Sequence, residues 1–252
     1  MILWRRVPVL LVCLATSSGP QEQSASTRGL GVRLWVGRYQ EIEEYLRTAE
    51  CVSMEALGSN HLARCTLRPG GPFARMSWRP LPPGIYRGFR ESYKTEIAAY
   101  ELDKLLKMDM VPPAVERQLQ GNNGAAQLWV ENVFGVKADE SPSASDRAHW
   151  ESQLVRLTMF DDLIGNRERS RGNMLRDAGW NLILIDHSRA FGARTDLPHK
   201  LSRIDEGYWA RIESLTRAQL DAALHAWLGE AEIGAILDRR ETMKAAISSL
   251  PR

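Results

Sequence analysis

From Cys51 to Pro80 short apolar runs alternate with glycine-containing breaks. The runs Cys51–Leu57, Leu62–Leu67 and Phe73–Trp78 predict three consecutive strands, with turns at Gly58–Asn60 and Gly70–Pro72. Strands in immediate succession predict an antiparallel meander. Before it, Gln40 to Glu50 sets Ile42, Tyr45 and Leu46 on one face, the pattern of a short amphipathic helix. After it, Gly84–Arg90 reads as a loop. The period then changes: Ala98, Leu102, Leu105 and Leu106 recur at helical spacing and predict a long helix opening at Glu91. The apolar stretch Gln127–Val133 predicts a strand entered through a Gly121–Gly124 turn, and Ala138–Asp146 is a polar connection.

In the second half the helical period dominates. Leu154, Leu157, Phe160 and Leu163/Ile164 predict a helix over residues 147–165, and Trp180–Ile185 is a short β-rich run ending at Asp186. Residues 192–198 are irregular. Thr216 and Gln219 have capping-box spacing, Leu220, Leu224 and Trp227 share the face that follows, and Gly229 reads as the stop. A last helix carries Ile233, Ile236, Leu237, Met243 and Ile247. No internal repeat is present. The fold class is α+β, with strands gathered in the first half and helices in the second.

The start of the chain follows different rules. A basic pair at Arg5-Arg6, an apolar run from Val7 to Ala15 and small residues to Gly19 predict a signal peptide over residues 1–19, hence an exported protein. The run is too short to span a bilayer, so no stable membrane span is expected once the signal is removed. A buried N-terminal helix is the alternative. Residues 20–38 begin with polar, low-apolar sequence and are read as a flexible lead. Beyond Cys13, Cys51 and Cys65 flank the Gly58 turn, and a hairpin there brings them nearly opposite; a disulfide and two reduced, buried thiols both fit. The formal net charge of +2 argues against nucleic acid as a partner. No His/Cys pair has zinc-ligand spacing.

The chemistry concentrates in Phe160–Phe191. Glu168 and Asn173 lie on a glycine-containing loop, and Asp186 follows at the end of the short strand. Phosphoryl transfer needs such a set: a carboxylate to orient the acceptor hydroxyl, an amide oxygen for one metal ion, and a second carboxylate for the metal bridging the phosphates.

At these residues the chain resembles the kinase-like superfamily that holds the phosphatidylinositol 3/4-kinases, the HipA-type kinases and the secretory-pathway casein kinase. That family's catalytic loop reads D-R-H-x-x-N and its metal motif begins with Asp. The equivalents here are Glu168-Arg169-Ser170-Arg171-Gly172-Asn173 and Asp186-His187-Ser188. The V-P-P-x-V run from Val111 to Val115 is similar to the secretory-pathway kinases and their bacterial relatives.

The resemblance covers about Gln40 to Phe191 and implies a two-lobed protein-kinase-like domain over residues 39–252. Its small antiparallel β lobe with one long helix would span about 39–130, and its mainly helical large lobe about 131–252. It further implies ATP and Mg²⁺ or Mn²⁺ as cofactors. Arg79 and Glu96 would lie at the phosphates, and backbone groups near Val130, Glu131 and Val133 at the adenine. Asn173 and Asp186 would be the metal ligands and Glu168 the catalytic carboxylate, with Arg169 bracing its loop. The acceptor is a hydroxyl of unknown parentage, and nothing marks an oligomeric state.

Two positions depart from the pattern. Glu168 replaces Asp and moves the carboxylate out by one methylene, on the order of 1.5 Å, a displacement that can cost about a hundredfold in a reaction dominated by positioning. Arg79 stands where the family has lysine, and no lysine precedes Lys94. A planar guanidinium does not substitute freely for an ammonium. A pseudokinase, keeping the fold with or without the nucleotide and lacking transfer, is therefore the alternative reading.

Overall fold

The structure is a computed structural model that describes residues 32–58 and 61–250. The expected signal peptide lies outside them. Helix α1 (Tyr39–Thr48) precedes strands β1 (Cys51–Leu57), β2 (Leu62–Leu67) and β3 (Arg75–Arg79). A hairpin of β4 (Gly84–Tyr86) and β5 (Phe89–Glu91) leads into α2 (Tyr93–Leu106). Then come β6 (Ala114–Leu119), β7 (Asn122–Leu128), β8 (Phe134–Gly135) and α3 (Ala144–Ile164). A 3-10 turn (Arg171–Asn173), β9 (Met174–Arg176), β10 (Leu182–Leu184), α4 (Glu206–Glu213), α5 (Arg217–Leu224) and α6 (Glu230–Ser248) complete the chain.

The small lobe is a five-stranded antiparallel sheet in the order β1-β2-β3-β7-β6. The meander expected from the sequence forms its first three strands. Its alternating inward residues, among them Cys65, Leu67, Met76 and Trp78, are buried together with Ile42 and Leu46 of α1. Cys51 and Cys65 form a disulfide with their Cα atoms 5.8 Å apart. They are diagonal rather than opposite, because the register sets Cys51 against Leu67 and Met54 against Cys65, with an irregularity after Cys51.

A second core unites α2 with the large lobe. Ile97, Leu102, Phe160, Leu163, Leu184 and Ile236 are all buried in it. Helix α2 is capped at Ser92, whose hydroxyl accepts from Lys94 N at 3.0 Å, and closes on Lys107 in the left-handed region. Thr216 and Gln219 form the expected capping box on α5.

Several expectations are corrected. The 84–90 stretch is a hairpin rather than a loop, turning through Arg87 and Gly88, both with positive φ. Glu91 ends β5 and does not open α2. The Gly121–Gly124 segment is mostly strand: β6 and β7 pair as far as Leu119 and Asn122. Glycine is required at 124 because a Cβ there would stand 2.7 Å from the carbonyl oxygen of Arg79, where β3 and β7 run close. The strand expected over Gln127–Val133 ends at Leu128. Gly229 caps the start of α6 instead of stopping the helix before it. The lead expected to residue 38 is packed from Val32 onward. Trp35 is fully buried, and the Arg33 guanidinium donates to the carbonyl oxygen of Leu182 at 2.9 Å, so this segment straps the two lobes' cores.

Candidate active site

Arg79 is the last residue of β3, where the sheet meets the start of α2. Its Nη1 donates to Asp186 Oδ1 at 2.9 Å and stands 3.4 Å from Glu96 Oε1; the Arg79 and Glu96 side chains are 10% and 5% exposed. Burial alone would raise the Glu96 pKa. The Arg79 guanidinium and the His187 groups facing Glu96 outweigh it and hold the carboxyl well below the usual carboxylate range. The Arg79 guanidinium, which burial would depress, is held above its ordinary value by Glu96 and Asp186.

Asp186 follows β10 with φ at +59°, a left-handed conformation uncommon for a residue with a side chain. That turn reverses the chain so that Asp186 faces the sheet while His187 points into the core, fully buried. The backbone N–H of His187 donates to Glu96 Oε2 at 2.9 Å, and Ser188 Oγ donates to Asp186 Oδ1 at 3.0 Å.

The loop carrying Glu168 and Asn173 is held from behind. Arg169 forks onto Asp161 of α3 at 2.9 and 3.0 Å and donates to the carbonyl oxygens of Asn173 and Ile185 at 3.0 and 2.9 Å. Its Nη2 also lies 2.9 Å from His187 Nε2. A guanidinium only donates, so this imidazole nitrogen accepts and the ring proton sits on Nδ1, toward Glu96 Oε2 at 3.7 Å. Arg169 is therefore a brace inside the protein, not a group at the surface of the cleft.

Arg79, Glu96, Asn173 and Asp186 line one cavity of about 540 Å³. Its roof includes Leu57, Gly58 and Leu62 at the β1–β2 tip, and its side wall runs from Leu128 to Val133. Among the described residues, the backbone groups of Val130, Glu131, Asn132 and Val133 make no backbone hydrogen bond, because β7 stops at Leu128. The Glu131 carboxylate is paired with the Arg75 guanidinium, which does not line the cavity.

Glu168 does not line that cavity. Its side chain, 47% exposed, borders a neighbouring pocket of about 220 Å³ with Phe89, Arg167 and Arg189. Asn173 Nδ2 donates to the Glu168 carbonyl oxygen at 3.4 Å, which leaves Asn173 Oδ1 available and joins the two pockets. Arg189 Nη1 reaches Glu168 Oε2 at 3.4 Å while its Nε and Nη2 are fixed on Glu91 Oε1 at 3.0 and 2.8 Å. Sequence reasoning missed Asp161, His187 and Arg189. No spacing rule marks them, since each acts through a partner brought near only by folding.

As a donor set for Mg²⁺ or Mn²⁺, Asn173 Oδ1 and Asp186 fit a metal that takes one or two protein oxygens and completes its shell with phosphates. Among the described residues no cluster of three or more His, Cys, Asp or Glu side chains could hold a metal without such help.

Solved structures share the fold. The crystal structure of the Golgi casein kinase with manganese and ADP bound is similar with a TM-score of 0.61 at 15% identity, over 83% of this chain and 75% of that one. A hydra Fam20 protein solved with sugar gives 0.59 at 15% identity, over 83% and 88%. The Helicobacter pylori proinflammatory kinase CtkA gives 0.51 at 11% identity, over 82% and 99%. At these identities the likeness is one of fold: the chain has the two-lobed kinase-like fold. No protein-family model and no curated protein sequence matches it.

Proposed function

We propose that the protein is an ATP- and divalent-metal-dependent phosphotransferase acting on a hydroxyl acceptor. The observation that carries this reading is the convergence of Arg79, Glu96, Asn173 and Asp186 on one cavity from two distant regions of the chain. The unpaired backbone of Val130, Glu131 and Val133 suits the edge of an adenine ring. Asn173 and Asp186 would hold the metal, which when bound neutralises charge between the transferred and leaving phosphate oxygens. Arg79, positioned by Glu96, binds phosphate. Glu168, in the adjoining pocket, accepts the acceptor's hydroxyl proton.

Export fits the Cys51–Cys65 disulfide, a bond that persists in oxidising compartments. Among the described residues no helix is long and apolar enough to cross a membrane.

Incubation with γ-labelled ATP and Mg²⁺ or Mn²⁺ tests the reading, with Glu168→Gln and Asp186→Ala as controls. Label transfer by the natural protein that both substitutions abolish is expected; transfer surviving both places the chemistry elsewhere. One observation favours a pseudokinase instead, the direct bond from Arg79 to the metal-side carboxylate. Arg79→Lys combined with Glu168→Asp separates the two. A protein that transfers phosphate only after this double change is a pseudokinase; equal transfer before and after excludes it.

A further inference from the structure

Among the described residues lining the main cavity, Arg79 is the one cation. It stands between two carboxylates, bonded to Asp186 Oδ1 at 2.9 Å and 3.4 Å from Glu96 Oε1. The same Asp186 oxygen also accepts from Ser188 Oγ at 3.0 Å, so it already carries two donors. An incoming divalent ion would meet a carboxylate with one of its two oxygens already engaged and a fixed positive charge beside it. Coulomb repulsion and the loss of a buried ion pair both oppose its entry.

For a phosphate the balance is reversed. A guanidinium presents five N–H donors in a rigid plane and keeps its charge in any protein setting. Among the described residues its Nε and Nη2 have no partner, and the side chain keeps contact with solvent through the cavity. It can therefore hold Asp186 with one nitrogen and take phosphate oxygens with the others. A lysine ammonium has a single nitrogen to divide among the same partners.

We propose that Arg79 lets this cavity take a nucleoside diphosphate or triphosphate without a divalent cation. Asn173 and Asp186 would hold a metal only after the phosphate, whose oxygens compete with Asp186 for the guanidinium. The inference rests on the nucleotide reading above and deepens it by setting the order of loading.

The experiment is calorimetric titration of the full chain with ADP, in EDTA and in Mn²⁺, for the natural protein, Arg79→Lys and Asp186→Asn. The natural protein is expected to bind ADP in EDTA within about tenfold of its affinity in Mn²⁺, a difference under about 1.4 kcal/mol. Arg79→Lys is expected to lose more than about tenfold in EDTA and to recover much of it when Mn²⁺ is added. Asp186→Asn, which frees Arg79 from its rival, is expected to bind in EDTA at least as tightly as the natural protein and to gain nothing from Mn²⁺.

Binding by the natural protein in Mn²⁺ but not in EDTA would overturn the inference and leave the nucleotide reading standing. Undiminished EDTA binding by Arg79→Lys, or its loss in Asp186→Asn, would overturn it as well. Absence of ADP binding under both conditions would overturn the nucleotide reading itself.

Discussion

The backbone N–H of His187 donates to Glu96 Oε2 at 2.9 Å, joining α2 to the turn after β10 across 91 positions of the chain. Glu96 thus serves two masters, the guanidinium of Arg79 on one oxygen and the backbone of the turn after β10 on the other. It is the point at which sheet, helix and loop are tied.

Glu96→Ala should therefore destabilise strongly. It leaves a buried N–H without an acceptor and removes half of the neutralisation around Arg79, at a cost of about 3–5 kcal/mol. A denaturant midpoint lowered with unchanged slope is the expected result; a shift below about 1 kcal/mol would mean that the tie contributes little. The same contact predicts acid sensitivity. The folded pKa of Glu96 is lowered from 4.5 to about 2, so its contribution is complete above about pH 4.5 and is lost as pH falls toward 2. Stability curves of the natural protein and of Glu96→Gln should converge across that interval.

Asp162 predicts the opposite slope. It is buried, its Oδ1 accepts from His199 N at 2.7 Å, and its Oδ2 has no partner. Burial raises its pKa from 3.8 to about 7. An acid whose folded pKa is raised gives stability that is present below about pH 4 and declines as pH rises through 7. Asp162→Asn removes the ionisation. Its stability relative to the natural protein should rise by about 1–3 kcal/mol between pH 5 and pH 8.5, followed by thermal unfolding in matched buffers. Parallel curves for the two proteins would count against the assignment.

Arg169 holds Asp161, the carbonyl oxygens of Asn173 and Ile185, and His187 with one planar group. No ammonium can span these partners. Arg169→Lys should cost about 3 kcal/mol of stability, as breaking a buried pair does. Because it loosens both Asn173 and Asp186, ADP affinity in Mn²⁺ should fall to its value in EDTA, as displaced site groups lose their geometry. Calorimetry on protein shown to be folded decides it.

The disulfide closes a loop over a sequence separation of 14 residues at the base of the β1–β2 hairpin that roofs the cavity. Paired Cys51→Ala and Cys65→Ala substitutions should lower stability by about 3 kcal/mol. Reductant should lower the natural protein's unfolding midpoint and leave the double variant's unchanged.

Much of this was legible beforehand because it is local. Alternating residues in β2 and β3 state which face is buried, the helical spacing in α2 and α3 states which side packs, and Thr216 with Gln219 caps α5 within four positions. The ordered appearance of Arg79, Glu96, Asn173 and Asp186 already indicated a shared cleft, and the four line one cavity. What failed was also local in kind: glycine reads as a turn, yet Gly124 is a strand residue because another strand's backbone lies against it.

Only the tertiary structure decided the rest. That Arg79 reaches past Glu96 to bond Asp186, that Glu168 borders a second pocket, and that His187 and Asp161 brace the loops depend on distances between segments up to 107 residues apart. Periodicity encodes which side of an element is apolar. It does not encode which polar groups two apolar faces will press together, and the chemistry here is set by those groups.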